Sequence, residues 1–126
     1  MLTLWTEAGG SPSVGDTPEG LLGLLKSDPD ALLLAESGGV IVGSLIACWD
    51  GWRGSFYRLA VCPDRRRQGI ATALLRAGES RLRARGAVRL TAIVSNDEDP
   101  VAMGFWAAAG YMREEHRARF VRMVGA

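Results

Sequence analysis

"LAVCPDRRRQGIATALL", residues 59–75, decides how this chain is read. An apolar run ending at Val61 has the character of a strand end, and from Ile70 onward apolar residues recur at helical spacing. Between them stand Arg65, Arg66 and Arg67, then Gln68 and Gly69. None of these is a good helix cap, since Ser, Thr, Asp and Asn fill that role. Positive charge at a helix N-terminus also opposes the macrodipole. A strand that turns straight into a helix leaves backbone N–H groups pointing at an anion site. Gly69 lets a ligand approach the backbone, Ala71 keeps the next turn bare, and arginine is the side chain best matched to phosphate. The stretch therefore reads as a helix start capped by a bound diphosphate. The alternative is a solvated turn whose arginines touch nothing. It is not a P-loop, because the Gly-Lys-Ser/Thr ending is missing, and Gly69 with Ala71 falls short of a dinucleotide fingerprint.

Working outward, the helix spans residues 69–85 and ends at Gly86, a good C-terminal stop. Ile70, Leu74, Ala77, Gly78 and Leu82 form its apolar stripe, helped by Ala71 and Leu75, while Arg76, Glu79, Arg81, Arg83 and Arg85 are expected to face water. Upstream, "ALLLAESGGVIVGSLIACW" (31–49) reads as a hairpin turning at Gly38-Gly39. "DGWRG" (50–54) is a second turn, and "SFYRLAV" (55–61) is a third strand. Before the hairpin, Thr17-Pro18 starts a helix and Asp28-Pro29 stops it. Downstream, "AVRLTAIV" (87–94) is a strand, and Asp99-Pro100 opens a helix that ends at Gly110. "YMREEHRARFVRMV" (111–124) reads as two short strands. Strand, helix and strand over 55–94 make a parallel crossover, so the expected class is α/β with a mixed, mostly antiparallel sheet flanked by helices.

With 126 residues the chain is expected to be one domain over 1–126. Its charge is nearly balanced, at +1 overall, which argues against a nucleic-acid binder or a polybasic membrane anchor. Arg76, Arg81, Arg83 and Arg85 more simply line a solvated helix face. Two cysteines, Cys48 and Cys62, and one histidine, His116, cannot supply a zinc set. Two free thiols are favoured over a disulfide. Apolar runs such as 40–49 are too short to span a membrane, and no leader is evident, so the cytoplasm is the expected compartment.

The same stretch resembles motif A of the GNAT acetyltransferases. The matching positions are Val61, Pro63, Arg66, Gly69 and Ala71. "EDPVAMGFWAAAGY" (98–111) is similar to that family's motif B, and the hairpin and third strand match its central strands. "WDGWRGSFYRLAV" resembles a bacterial branch of small stand-alone members of the ribosomal-protein alanine acetyltransferase type. The resemblance covers roughly residues 30–113. It implies acetyl-CoA as cosubstrate and an amine of a small molecule or protein as acceptor, attacked directly with no acyl-enzyme. Arg66, Arg67, Gln68, Gly69, Ile70, Ala71 and Thr72 would hold the CoA diphosphate. Leu59, Ala60 and Val61 would pair with the pantetheine arm, where two strands splay, and the N–H of Val61 would polarise the thioester carbonyl.

Against the family pattern, Trp106 stands where many members carry a tyrosine acid, and indole is not a useful acid. Tyr111 is the nearest tyrosine and reads as core. Asp99 replaces the usual Asn before that helix, where it serves as a cap or accepts an amide hydrogen bond from the pantetheine. Arg58 occupies the position of a basic Glu, leaving Glu36, Asp50, Glu114, Glu115 and His116 as candidate bases. The family's first strand is expected to find no room before Thr17, either because the sheet has lost it or because the true start lies upstream of Met1. The strand at 31–37 is then an exposed edge, and dimerisation through it is one solution. The reading that competes with an enzyme is a GNAT-fold domain that binds acyl-CoA as a sensor or partner.

Overall fold

The computed structural model describes residues 17–94 and 97–124. The expectation about the first strand falls on residues 1–16, outside the described residues. Helix α1 (Pro18–Ser27) begins as the sequence requires: the Thr17 side chain accepts the Gly20 N–H at 3.0 Å, and Pro18 is the first helical residue. Strands β1 (Leu32–Ser37) and β2 (Val40–Trp49) form the hairpin. Gly38 and Gly39 both have positive φ, +58° and +80°, the geometry of a two-residue turn that follows the strand twist. At the far end of β2, the Asp50 carboxylate accepts the N–H groups of Trp52 and Arg53, which closes the turn into β3 (Gly54–Val61).

A short 3-10 turn (Pro63–Arg65) then leads to α2 (Ile70–Arg85). That helix crosses back so that β4 (Leu90–Ala92) pairs with β3 in parallel, Gly54 opposite Leu90 and Phe56 opposite Ala92. Helix α3 (Pro100–Ala108) follows. The sheet order is β1-β2-β3-β4, antiparallel except for the last pair, with β1 at one edge. α2 lies against β2 and β3. Gly78 makes this approach possible, because a Cβ there would stand 2.9 Å from the Phe56 ring. Leu45, Ala47, Phe56, Leu74, Leu75, Leu82 and Trp106 form the core beneath it. On the opposite face, Leu21 and Leu24 of α1 cover Ile46.

Several expectations need correction. Ala77 is exposed, and the buried stripe of α2 instead takes in Glu79. Arg81 does not face water either; its side chain is 10% exposed and pairs with Asp28 while its Nε donates to the Asp30 carbonyl. β4 is three residues long rather than eight. Residues 111–124 form no strand, and Met112, Phe120 and Val124 are almost fully exposed. Apolar residues alone supply no hydrogen-bond partner, and so short a β4 offers little ladder to extend. Cys48 lies opposite Ser55, whereas Cys62 bonds Val42, six positions back along β2. That separation is roughly 20 Å along a strand, far beyond disulfide reach.

Candidate active site at the start of helix α2

The site is built by an irregularity in β3. Ser44 pairs with Ala60 and Ile46 with Tyr57, so Leu45 alone faces both Arg58 and Leu59. This bulge puts Arg58 at φ +54°, a left-handed backbone that non-glycine residues rarely adopt. The buried Ser44 hydroxyl donates to the Arg58 carbonyl at 2.9 Å and pins it. Past the bulge, the Cys62 N–H bonds the Val42 carbonyl at 2.8 Å. In an antiparallel pair the neighbouring residue turns its N–H the other way, so Val61 directs its N–H away from β2. That is the side on which β4 lies further down. The β3–β4 ladder stops at Phe56, with one further bond from the Ile93 N–H to the Phe56 carbonyl. Beyond that bond no described residue pairs with this side of β3, so Leu59, Ala60 and Val61 line one side of what we term the β3–β4 fork.

The mouth of the fork is the turn before α2. Arg67 and Gly69 are both left-handed, at φ +66° and +78°, and Gly69 is the N-cap residue without a side-chain cap. A Cβ on Gly69 would meet nothing within 4 Å, so the space over the first turn is open. The contrast with the other helices is internal to the chain. α1 is capped by Thr17, and α3 by Asp99, which accepts the N–H groups of Val101 and Ala102. Arg66, Arg67, Gln68, Gly69 and Thr72 are exposed around this opening, and Ile70 and Ala71 are half-buried. Arg65 instead points back toward the sheet. Its guanidinium donates to the Ser37 hydroxyl at 3.1 Å, fastening the turn to the β1–β2 hairpin.

Trp106 is buried at the inner end of the fork. Its ring lies 6.1 Å from Phe56, 5.5 Å from Phe105 and 5.0 Å from Tyr111. Tyr111 packs against the core, as expected, but its hydroxyl also donates to Glu79 at 2.7 Å. The other Glu79 oxygen accepts from Arg76 at 2.6 Å. Burial pushes the Glu79 carboxyl up, but the hydrogen bonds from Arg76 and Tyr111 outweigh it and hold the group below its ordinary range. Burial, and then the bond to Glu79, drive the Tyr111 phenol far upward.

The candidate bases do not converge. Glu36 lies beside the hairpin turn and Asp50 at the other end of the ten-residue β2. Asp50 is also held low by the N–H groups it accepts, and Glu114 by Arg117 and Arg89. Glu115 and His116 sit exposed on the segment after α3.

Residues 3–111 match the family model described as "Acetyltransferase (GNAT) family". The chain belongs to the GNAT acetyltransferase family. An acetyltransferase of Pectobacterium atrosepticum is 41% identical over 101 residues, which are 80% of this chain and 72% of that one. An aminoglycoside antibiotic 6'-N-acetyltransferase from Acinetobacter haemolyticus superposes with a TM-score of 0.73 at 21% identity, covering 98% of this chain and 93% of its own. The ribosomal-protein-S18-alanine N-acetyltransferase from Escherichia coli gives a TM-score of 0.64 at 20% identity, over 86% and 67%. At such identities the structural likeness shows the fold alone.

GNAT enzymes draw their acetyl group from acetyl-CoA. Sequence reasoning misses Glu79 and Arg81 because it assigns charged residues to water. Glu79 carries a signal nonetheless, standing four residues after Leu75 and three before Leu82, on the buried stripe.

Proposed function

We propose that this acetyltransferase moves the acetyl group of acetyl-CoA onto a primary amine of a small molecule or protein by direct attack. The observation that carries the reading is the open N-terminus of α2 set at the mouth of the β3–β4 fork. In this reading the N–H groups from Arg66 to Thr72 bind the diphosphate, with Arg66 and Arg67 as charge partners. Leu59 to Val61 bind the pantetheine arm as an added strand, and the Val61 N–H stabilises charge developing on the thioester oxygen. Acetyl-CoA supplies an activated acyl carbon. An amide C–N bond forms, the thioester C–S bond breaks, the amine gives up a proton and the sulfur gains one. Asp99 caps α3, and Trp106 holds the inner end of the fork rather than acting as an acid. The edge of β1, against which no described strand lies, is the place we assign to pairing with a second copy.

One observation favours a second reading, an acyl-CoA-binding domain with little turnover. Trp106 fills the place of the usual phenol, and the Tyr111 hydroxyl is committed to Glu79. Calorimetric titration with acetyl-CoA comes first, with micromolar affinity expected, about −8 kcal/mol. CoA thiol release is then followed over a panel of aminoglycosides, polyamines, amino acids and peptides with free N-termini. Release with one class establishes the enzyme and its acceptor. Tight binding without release across the panel supports the sensor, and absence of binding to the folded protein refutes both.

A further inference from the structure

Glu79 is the buried charge for which the proposed chemistry has no use. It is 5% exposed, on the face of α2 that packs against the sheet, and its two oxygens are taken by Arg76 and Tyr111. Tyr111 comes 32 positions later, just past α3. Its ring lies edge-on against Trp106 at 5.0 Å and against Phe56 at 6.4 Å. Phe56 is the last residue of β3 that pairs with β4. One hydrogen bond thus joins the helix that carries the anion site to the aromatic group at the inner end of the fork.

We propose that Tyr111 and Glu79 are positioning residues that fix where the start of α2 stands relative to Leu59–Val61 of β3, by tying α2 to Trp106 and Phe56. This rests on the reading of the fork as the acetyl-CoA site. The argument is geometric. The backbone after α3 is held by the Tyr111 N–H, which donates to the Trp106 carbonyl at 3.0 Å, and the Tyr111 side chain is the part that reaches α2. A carboxylate is a better anchor here than a neutral acceptor, because a charge-assisted hydrogen bond is stronger and more directional. Arg76, itself half-exposed, offsets the buried charge from the solvent side.

The test uses Tyr111→Phe, which keeps the ring against Trp106 and removes only the hydroxyl. Two probes are titrated by calorimetry, acetyl-CoA and adenosine 3',5'-bisphosphate. The second reaches the helix start but not the fork. Tyr111→Phe is expected to weaken acetyl-CoA roughly tenfold and to leave the bisphosphate within about twofold, since positional errors near 1 Å are costly only where alignment matters. Glu79→Gln alone retains an acceptor for the Tyr111 hydroxyl and should keep most of the acetyl-CoA affinity. Should Tyr111→Phe fail to fold, Tyr111→Phe with Glu79→Leu replaces the pair by apolar groups and leaves no stranded charge. It carries the same expectation. Equal weakening of both probes, or unchanged acetyl-CoA affinity in either folded variant, overturns the positioning role. If the wild-type protein binds the bisphosphate but not acetyl-CoA, it is the fork assignment that fails, and the positioning role falls with it.

Discussion

Replacing Gly69 by Glu separates a functional glycine from a structural one. The added side chain meets open space, so no packing is lost. The cost to the fold is backbone strain alone, since φ is +78° and an L residue there loses roughly 1–2 kcal/mol. For a domain of this size that is a fall in Tm of about 5 °C. Binding should suffer far more. A carboxylate over the first turn of α2 occupies the volume and the dipole field meant for a diphosphate. Losing one charge-assisted hydrogen bond, at about 1.5–3 kcal/mol, weakens acetyl-CoA at least about tenfold, and losing two weakens it about 100-fold or more. Gly86→Glu is the matched control. It is also left-handed, at φ +105°, also open, and at the other end of the same helix. Thermal denaturation should show similar losses for both variants, and calorimetry should show the affinity loss in Gly69→Glu only. Affinity within about threefold of wild type in folded Gly69→Glu refutes the anion site. An equal loss in Gly86→Glu shows that the effect is global.

Other perturbations probe the supports of the site. Arg81→Ala strands the largely buried Asp28 and should cost about 3 kcal/mol, seen as a fall in Tm beyond 10 °C, whereas Arg81→Met with Asp28→Leu should recover most of it. Ser44→Ala removes the donor that pins the Arg58 carbonyl and should lower the urea-derived stability by about 1 kcal/mol while weakening acetyl-CoA severalfold, because Val61 lies just past that bulge. Gly78→Val forces a side chain into the Phe56 ring and the Leu45 methyl, and should cost at least 1–3 kcal/mol in the same assay. Glu79 contributes stability that is fully present above the ordinary carboxylate value of 4.5 and is lost as pH falls through its lower folded value. Urea midpoints measured between about pH 5 and pH 3 should therefore drop more steeply for wild type than for Glu79→Gln.

What is legible in the sequence is what near neighbours in the chain decide. The Gly38-Gly39 turn, the Thr17 and Asp99 caps, the extent of α2 and the bare turn at Gly69 are all written within a few residues, and the structure has each of them. The fork is legible only through the family resemblance, because no local pattern says that β4 stops pairing at Phe56. The misread residues share one physical cause. Arg81 finds Asp28 across 53 positions and Glu79 finds Tyr111 across 32, so a burial that is costly for a lone charge becomes tolerable only in the folded state.

The segment 111–124 fails in the opposite direction. Its scattered apolar residues suit a strand, but a strand exists only as half of a pair, and no described strand lies against it. The same division between local and distant partners runs through the site itself. The proposed anion site is local and is legible from the chain directly. Its proposed supports, Glu79 with Tyr111 and Ser44 at the β3 bulge, act at a distance along the chain. A change in any of the three should therefore leave the motif intact by inspection while altering how acetyl-CoA is held. Equilibrium affinity for acetyl-CoA, compared with affinity for its nucleotide half, is the measurement that exposes such a change.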